Sequence, residues 1–497
     1  MESISFSEVY KSLLNLVHHL ESGQLSYTID FEKEGTPFSI DAKFNVTTNG
    51  DYALSFSSDC PISPIAFNTP LLEIHSEWYN IIFDSVNVRK RRTTYNNSTE
   101  KPDVYQIITK SFRSTINNNW NDSYICAFYK YNHSIFNPSK SCVLNNNAQP
   151  IGHNPLEIKI GECELTIFWD EKADSKEKDE RYLMFFSKTK MDFSIFKEIV
   201  NAIRVTWGLI TGYYIGQNVY YMSFKQEFGW DRLSFAYNNL QEEFVSYRGM
   251  LDSKPYDKIA ESDLCLTANE FERLVTLLYN NESYFRAGQL LLTASNDEGL
   301  SKGGIAAIAL EAITGGLEKE IKAQKNNEPN EFKVPKELRE EIQNVIHGFK
   351  EKEKITKRQR DHYLKKLDGF SNPLNSDKLS IPFHLLKITL TETEKGIIEN
   401  RNTLLHGNLP KKSKALDFAS KLNSDELLFY VSNKLIMLCS MLLFRIAGID
   451  KLINDWGITI IAKKRLIESG KYIGGYGNKH RLILDNSPEE DSPDWLL

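Results

Sequence analysis

The stretch ENRNTLLHGNLP, residues 399–410, places Arg401, Asn402 and His406 in what its spacing predicts to be the last turns of a helix. Each side chain brings its own chemistry. An imidazole titrates near neutrality and can give or take a proton. A guanidinium stays cationic and stabilises charge that develops on an anion. A carboxamide orients a polar backbone through hydrogen bonds. Together they supply proton transfer and anion stabilisation without a cofactor.

The helix that carries them has readable ends. Thr391 with Glu394 forms a capping-box signature, Gly407 offers a left-handed stop, and Pro410 lies just beyond. His406 then falls near the C-cap, where the negative end of the helix dipole favours an imidazolium. Asn402 and His406 are four residues apart and share a face. Arg401 lies about 140° around an ideal helix from His406. One copy of the helix does not readily aim all three groups at one atom, whereas two copies about a twofold axis can bring arginine from one to histidine from the other. A terminal histidine can also do no more than satisfy helix carbonyls. What distinguishes this segment is the combination: Asn directly after Arg, and Gly directly after His.

The remaining chain must hold that helix in place. At 497 residues it exceeds the usual size of a single core, so two or three domains are predicted. Apolar content of 41%, charged content of 25% and a net charge of −6 are ordinary for a globular protein and confine any nucleic-acid contact to a local patch. Six cysteines, none in a Cys-x-x-Cys pair, argue against a zinc site and a disulfide framework and for a reducing cytoplasm. The histidines show no metal-ligand spacing, and no cofactor is expected. The N-terminal segment lacks a signal-peptide pattern and is assigned to an amphipathic helix containing His18 and His19. The longest apolar run, LIMLCSMLLF at 435–444, is about half of the roughly 20 residues a membrane span needs, so a core helix is expected.

Alternating apolar residues (Leu25, Tyr27, Ile29, Phe31, then Phe38 to Val46) predict half-buried strands, with Asn49-Gly50 as the turn to a third at Tyr52, Leu54 and Phe56. LEIKI and ELTIFW around Gly161, and RYLMFFS, extend the pattern. Asn-rich stretches between them do not fix a strand count. RKRR, Arg89 to Arg92, reads as a solvated charge run on a loop or as a weak anion grip. A helix is predicted from about 192, and RGMLDSKPYDKIAESD reads as a linker. Thr267 with Glu270 then opens a helical region, with helices at 283–294, 303–322, 335–349, 357–367, 381–390, 392–405 and 425–447. The expected class is α+β: an antiparallel β-rich domain over 1–215, a connecting segment over 216–265, an all-helical bundle over 266–485, and an acidic tail over 486–497.

RNTLLHG resembles the R-x4-6-H signature of the HEPN superfamily. IAAIALEAITGGLEKEI, with Glu311, resembles the first helix of that fold, and KLIMLCSMLLFRIAGI its closing helix. With a β-rich region upstream, the order of these pieces is most similar to ApeA-type anti-phage HEPN proteins. The resemblance covers about 281–450. It implies a HEPN-like bundle and metal-independent cleavage of RNA at a composite site between two copies. His406 would serve as acid or base on the ribose 2′-hydroxyl or the leaving oxygen, Arg401 would stabilise the phosphate, and Asn402 would orient the backbone. Glu311 would either buttress Arg401 or act as a structural ion-pair partner.

The segment KEKEKITKRQRDHYLKK, residues 350–366, has eight Lys or Arg against three acids. It is either an RNA-contacting patch centred on Lys357, Arg358 and Arg360 or a solvent-facing helix. The expected function is a cytoplasmic antiviral ribonuclease, homodimeric, with RNA as substrate and a phage-derived trigger sensed by the β domain. The alternative is a non-catalytic HEPN-type module that binds RNA or protein, or dimerises.

Overall fold

A computed structural model of the chain describes residues 6–22, 26–33, 36–47, 49–58, 72–75, 81–83, 87–91, 103–115, 120–132, 143–147, 155–169, 180–225, 233–246, 249–251, 265–324, 336–369, 375–411, 416, 422–458 and 480–482. The class is α+β, strands preceding helices, in two compact units, Met1–Tyr279 and Asn280–Leu497.

The first unit contains helix α1 (Phe6–Glu21), then β1 (Ser26–Lys33), β2 (Thr36–Val46), β3 (Tyr52–Ser58), β4 (Leu72–His75), β5 (Ile81–Phe83), β6 (Asn87–Arg91), β7 (Asp103–Thr109), β8 (Ser111–Ser114), β9 (Tyr124–Asn132), β10 (Leu156–Ile160), β11 (Cys163–Trp169) and β12 (Glu180–Ser187). Helix α2 (Phe193–Thr211), β13 (Tyr213–Tyr214), β14 (Asn218–Phe224), β15 (Ser234–Asn239), β16 (Phe244–Val245) and α3 (Ala268–Asn280) follow. Fourteen strands form one antiparallel sheet in the order β10-β11-β12-β9-β14-β15-β8-β5-β4-β1-β2-β3-β7-β6.

That sheet cannot be flat. Tyr52 on β3 and Tyr220 on β14 lie seven places apart in the order, more than ~30 Å at the usual spacing of neighbouring strands. Their hydroxyls nevertheless meet at 2.5 Å. The sheet therefore curls until its two halves face each other, and the β2–β3 turn is tied across the gap by Tyr237 to the Gly50 carbonyl and Asn239 to the Asn49 carbonyl. Gly50, at φ +78°, supplies the left-handed residue of that turn. Inside the curl, Leu13, Leu16, Val17 and Leu20 of α1 pack with Phe44, Phe83, Phe112 and Tyr220. The amphipathic α1 carries His18 and His19 in its last turn, as the sequence implies.

β14 is buried along its whole length, because α1 and the curl cover one face and Phe193 of α2 covers Tyr221 on the other. This corrects the expected connecting segment at 216–265, which contains two strands in the body of the sheet. NVYYMSF escapes a period-two reading because a strand buried on both faces does not alternate. The boundary is corrected too. Thr267 and Glu270 do form a capping box, but α3 closes the first unit: Phe271 packs on Trp207 of α2, and Glu272 accepts the Lys159 amide. Arg89 to Arg91 lie on edge strand β6, paired with β7, and not on a loop. A charged edge discourages pairing with another chain. Arg92, most of the linker at 248–263 and the acidic tail at 486–497 lie outside the described residues.

The second unit contains α4 (Glu282–Asn296), α5 (Gly299–Gln324), α6 (Lys336–Glu351), α7 (Lys357–Gly369), α8 (Asn375–Leu385), α9 (Glu392–Leu405), α10 (Ser424–Ile446) and the short strands β17 (Leu452–Asn454) and β18 (His480–Leu482). Helix α5 is its centre, with α4, α9 and α10 packed on it. Glycine permits the close approach: a Cβ on Gly303 would stand 2.7 Å from Ser432 Oγ of α10 and 3.0 Å from Leu404 Cδ2 of α9. Helix α8 runs earlier than expected at 381–390. Lys387 adopts φ +58°, which stops the helix before the apolar pattern ends.

By length and composition α5 and α10 could each cross a membrane. The apolar window of α10 is 94% buried within the protein, as befits a core helix, and that of α5 is 56% buried. Lys434 of α10 pairs internally with Asp455 at 2.5 Å.

Gly303→Val is expected to cost about 1–3 kcal/mol of stability by overpacking against Leu404 and Ser432, read from the midpoint of denaturant unfolding. In the first unit, burial pushes the Glu243 carboxyl up to about 7, and Tyr213 and Gln217 donate to it. The folded state thus prefers the protonated form, so this stability is present below the ordinary carboxylate range and is lost as pH rises toward 7. Glu243→Gln should match the wild type near pH 4 and exceed it at pH 8 in chemical unfolding; equal stability at both would show a solvated carboxylate.

Candidate active site

Helix α9 starts and stops where its sequence dictates. The Thr391 side chain accepts the Glu394 amide while the Glu394 carboxylate accepts the Thr391 amide. At the other end His406 is the C-cap, its amide reaching the Asn402 carbonyl at 3.2 Å, and Gly407 turns the chain at φ +70°. Beyond it, Asn400 holds the outgoing chain: its side chain accepts the Lys411 amide at 2.8 Å and donates to the Gly396 carbonyl. Asn400 was not anticipated from the sequence. Its signal was the first asparagine of ENRN, four residues after Gly396.

Three of the anticipated side chains meet. Arg401 Nη1 donates to Glu311 Oε1 of α5 at 2.7 Å and to Asn402 Oδ1 at 2.6 Å. Arg401 is only 4% exposed. Its Nε is buried with no hydrogen-bond partner among the described residues. Glu311, in contrast, keeps 46% of its side chain in solvent, and Asn402 is exposed. The guanidinium therefore lies one layer below the surface, under two polar groups that face water.

His406 is exposed and stands apart. Among the described residues no hydrogen bond or ion pair reaches its imidazole, and about 140° around the helix separates it from Arg401. One chain thus brings Arg401, Asn402 and Glu311 together and leaves His406 free to meet something else. The arrangement offers a positioned cation beneath an acidic and an amide group, plus a solvent-facing acid or base at a helix C-terminus.

The basic patch is split. Lys357 and Arg358 begin α7 and are exposed, whereas Arg360 is partly covered and bound to Asp361 at 2.5 Å. Thr356 and Gln359 cap the start of α7, which packs chiefly against α6. The helices packed on α9 include α5, α8 and α10. Among the described residues no cluster of three His, Cys, Asp or Glu side chains is placed to hold a metal ion.

No family model matches this chain, and no curated protein or solved structure matches it.

Proposed function

We propose that the chain is a HEPN-type endoribonuclease that cleaves RNA without a metal ion, at a site shared by two copies, as a cytoplasmic effector of antiviral defence. The observation that carries this reading is the end of α9: an exposed imidazole at the C-cap, with Arg401 held one layer below the surface by Glu311 and Asn402. In the reaction His406 moves the proton of a ribose 2′-hydroxyl or of the leaving oxygen. Arg401 stabilises the phosphate as its charge grows, and Asn402 orients the sugar–phosphate backbone. The ribose hydroxyl is the internal nucleophile, so RNA is cut and DNA is not. The β-rich unit is the sensor of a phage-derived trigger and the restraint on the nuclease.

A second reading rests on the burial of Arg401. A guanidinium at 4% exposure that is paired with a neighbouring helix also suits a purely structural pin, and the chain is then a non-catalytic binding module of the same type.

Two experiments separate these readings. His406→Ala is expected to lower cleavage of a labelled RNA about 10²- to 10⁴-fold with unchanged circular dichroism, because the side chain is exposed, and chelator is expected to leave wild-type cleavage intact. Equal RNA patterns in wild type and variant would support the binding module, and abolition by chelator would establish metal dependence. Mixing Arg401→Ala chains with His406→Ala chains is expected to restore part of the activity, since one of the two sites in each mixed pair is whole. No recovery in a mixture shown to exchange subunits would remove the shared site.

A further inference from the structure

Helices α6 and α7 form a hairpin that is poorly covered by the rest of its own unit. No described side chain between residues 337 and 351 is buried, although α6 carries Leu338, Ile342, Val345 and Phe349 at intervals of four, three and four. Those intervals are the seam of a coiled coil. Leu338 is 47% exposed, Val345 58% and Phe349 48%, and Tyr363 of α7 is exposed as well. Isolated helices of this length are marginal in water, and helical stability comes chiefly from packing an apolar face. The seam is that of a helix which completes its packing outside the protomer.

We infer that the α6 seam is a docking surface for a second copy of this chain, the two α6 helices running antiparallel about a twofold axis near residues 342–345. Charge selects this occupant. The first half of α6 carries Glu337, Glu340 and Glu341, where acids outnumber Lys336 and Arg339. The far end and the turn into α7 carry Lys350, Lys352, Lys354, Lys357 and Arg358, where bases outnumber Glu351 and Glu353. Antiparallel pairing sets Leu338 against Phe349 and Glu337 against Lys350 of the second copy, so the acidic start of each α6 meets the end from which the other copy's basic turn leads. The surface is self-complementary, as a twofold interface must be. An RNA partner would use the basic turn and leave the apolar seam in water. The choice of a second copy also rests on the two-copy reading of the α9 site, to which this hairpin adds a place of contact.

Sedimentation velocity over a range of concentrations, with RNA cleavage measured on the same full-length samples, tests the inference. Wild type is expected to sediment as a dimer, and Val345→Glu with Phe349→Glu to weaken the dimer at least tenfold without loss of helical signal. Lys357→Glu with Arg358→Glu should weaken it as well, and adding Glu340→Lys with Glu341→Lys should restore it. A dimer that survives the seam substitutions overturns this inference and leaves the shared α9 site standing. A dimer that depends on the seam but never cleaves RNA upholds the inference and removes the nuclease. A wild type that stays monomeric overturns the docking surface, and if that monomer cleaves RNA, the shared site falls with it. Loss of RNA binding with an intact dimer in the charge-reversed variants would make the turn an RNA surface instead.

Discussion

The pair between Arg401 and Glu311 is the interaction on which the end of α9 depends. It crosses from α9 to α5, the two helices whose close approach at Leu404 is permitted by Gly303. A cation at 4% exposure cannot be left alone; removing the partner of a buried pair costs several kcal/mol because the remaining charge stays desolvated. Here the cost is reduced by solvent, since Glu311 is nearly half exposed and its side of the pair is screened. The asymmetry has a chemical meaning. Arg401 is fixed in place while its counter-ion is accessible to solvent.

The first unit depends on a comparable closure. Its sheet curls because apolar side chains on one face and the apolar stripe of α1 must be removed from water together, and a flat sheet would leave much of both exposed. The Tyr52 and Tyr220 hydroxyls, buried where the two halves meet, satisfy each other, and Tyr220 also donates to Glu21 at the end of α1. Burial raises the pKa of both tyrosines well above the ordinary phenol, so the link is made of neutral hydroxyls. Glu21 also accepts from Lys130, which gives its charge a partner.

Much of this was legible in the sequence wherever a local rule dominates. The ends of α9 follow from Thr391, Glu394 and Gly407, whose side-chain and backbone geometry act within one turn. The β2–β3 and β10–β11 hairpins follow from alternation broken by Gly50 and Gly161. Features set by distant contacts were not legible. β14 carries no alternation because partners far along the chain cover both its faces. The start of α3 was correct while its domain was not, because Trp207 and Lys159, which hold it, lie more than sixty residues upstream. Arg401 was identified, but its burial was not, since ENRN gives no indication of which polar residue faces α5.

The decisive constraint on function is angular. Arg401 and His406 leave the same helix about 140° apart, and α5 captures the first while the second faces solvent. A single helix does not readily bring both to one phosphate, and its last turn is held by the Gly407 and Asn408 amides on the Leu404 and Thr403 carbonyls. If both side chains serve one reaction, the second must come from another copy of α9. If no such copy is present, Arg401 is a structural pin and His406 a cap. The chemistry of the site and the oligomeric state of the chain are therefore one question.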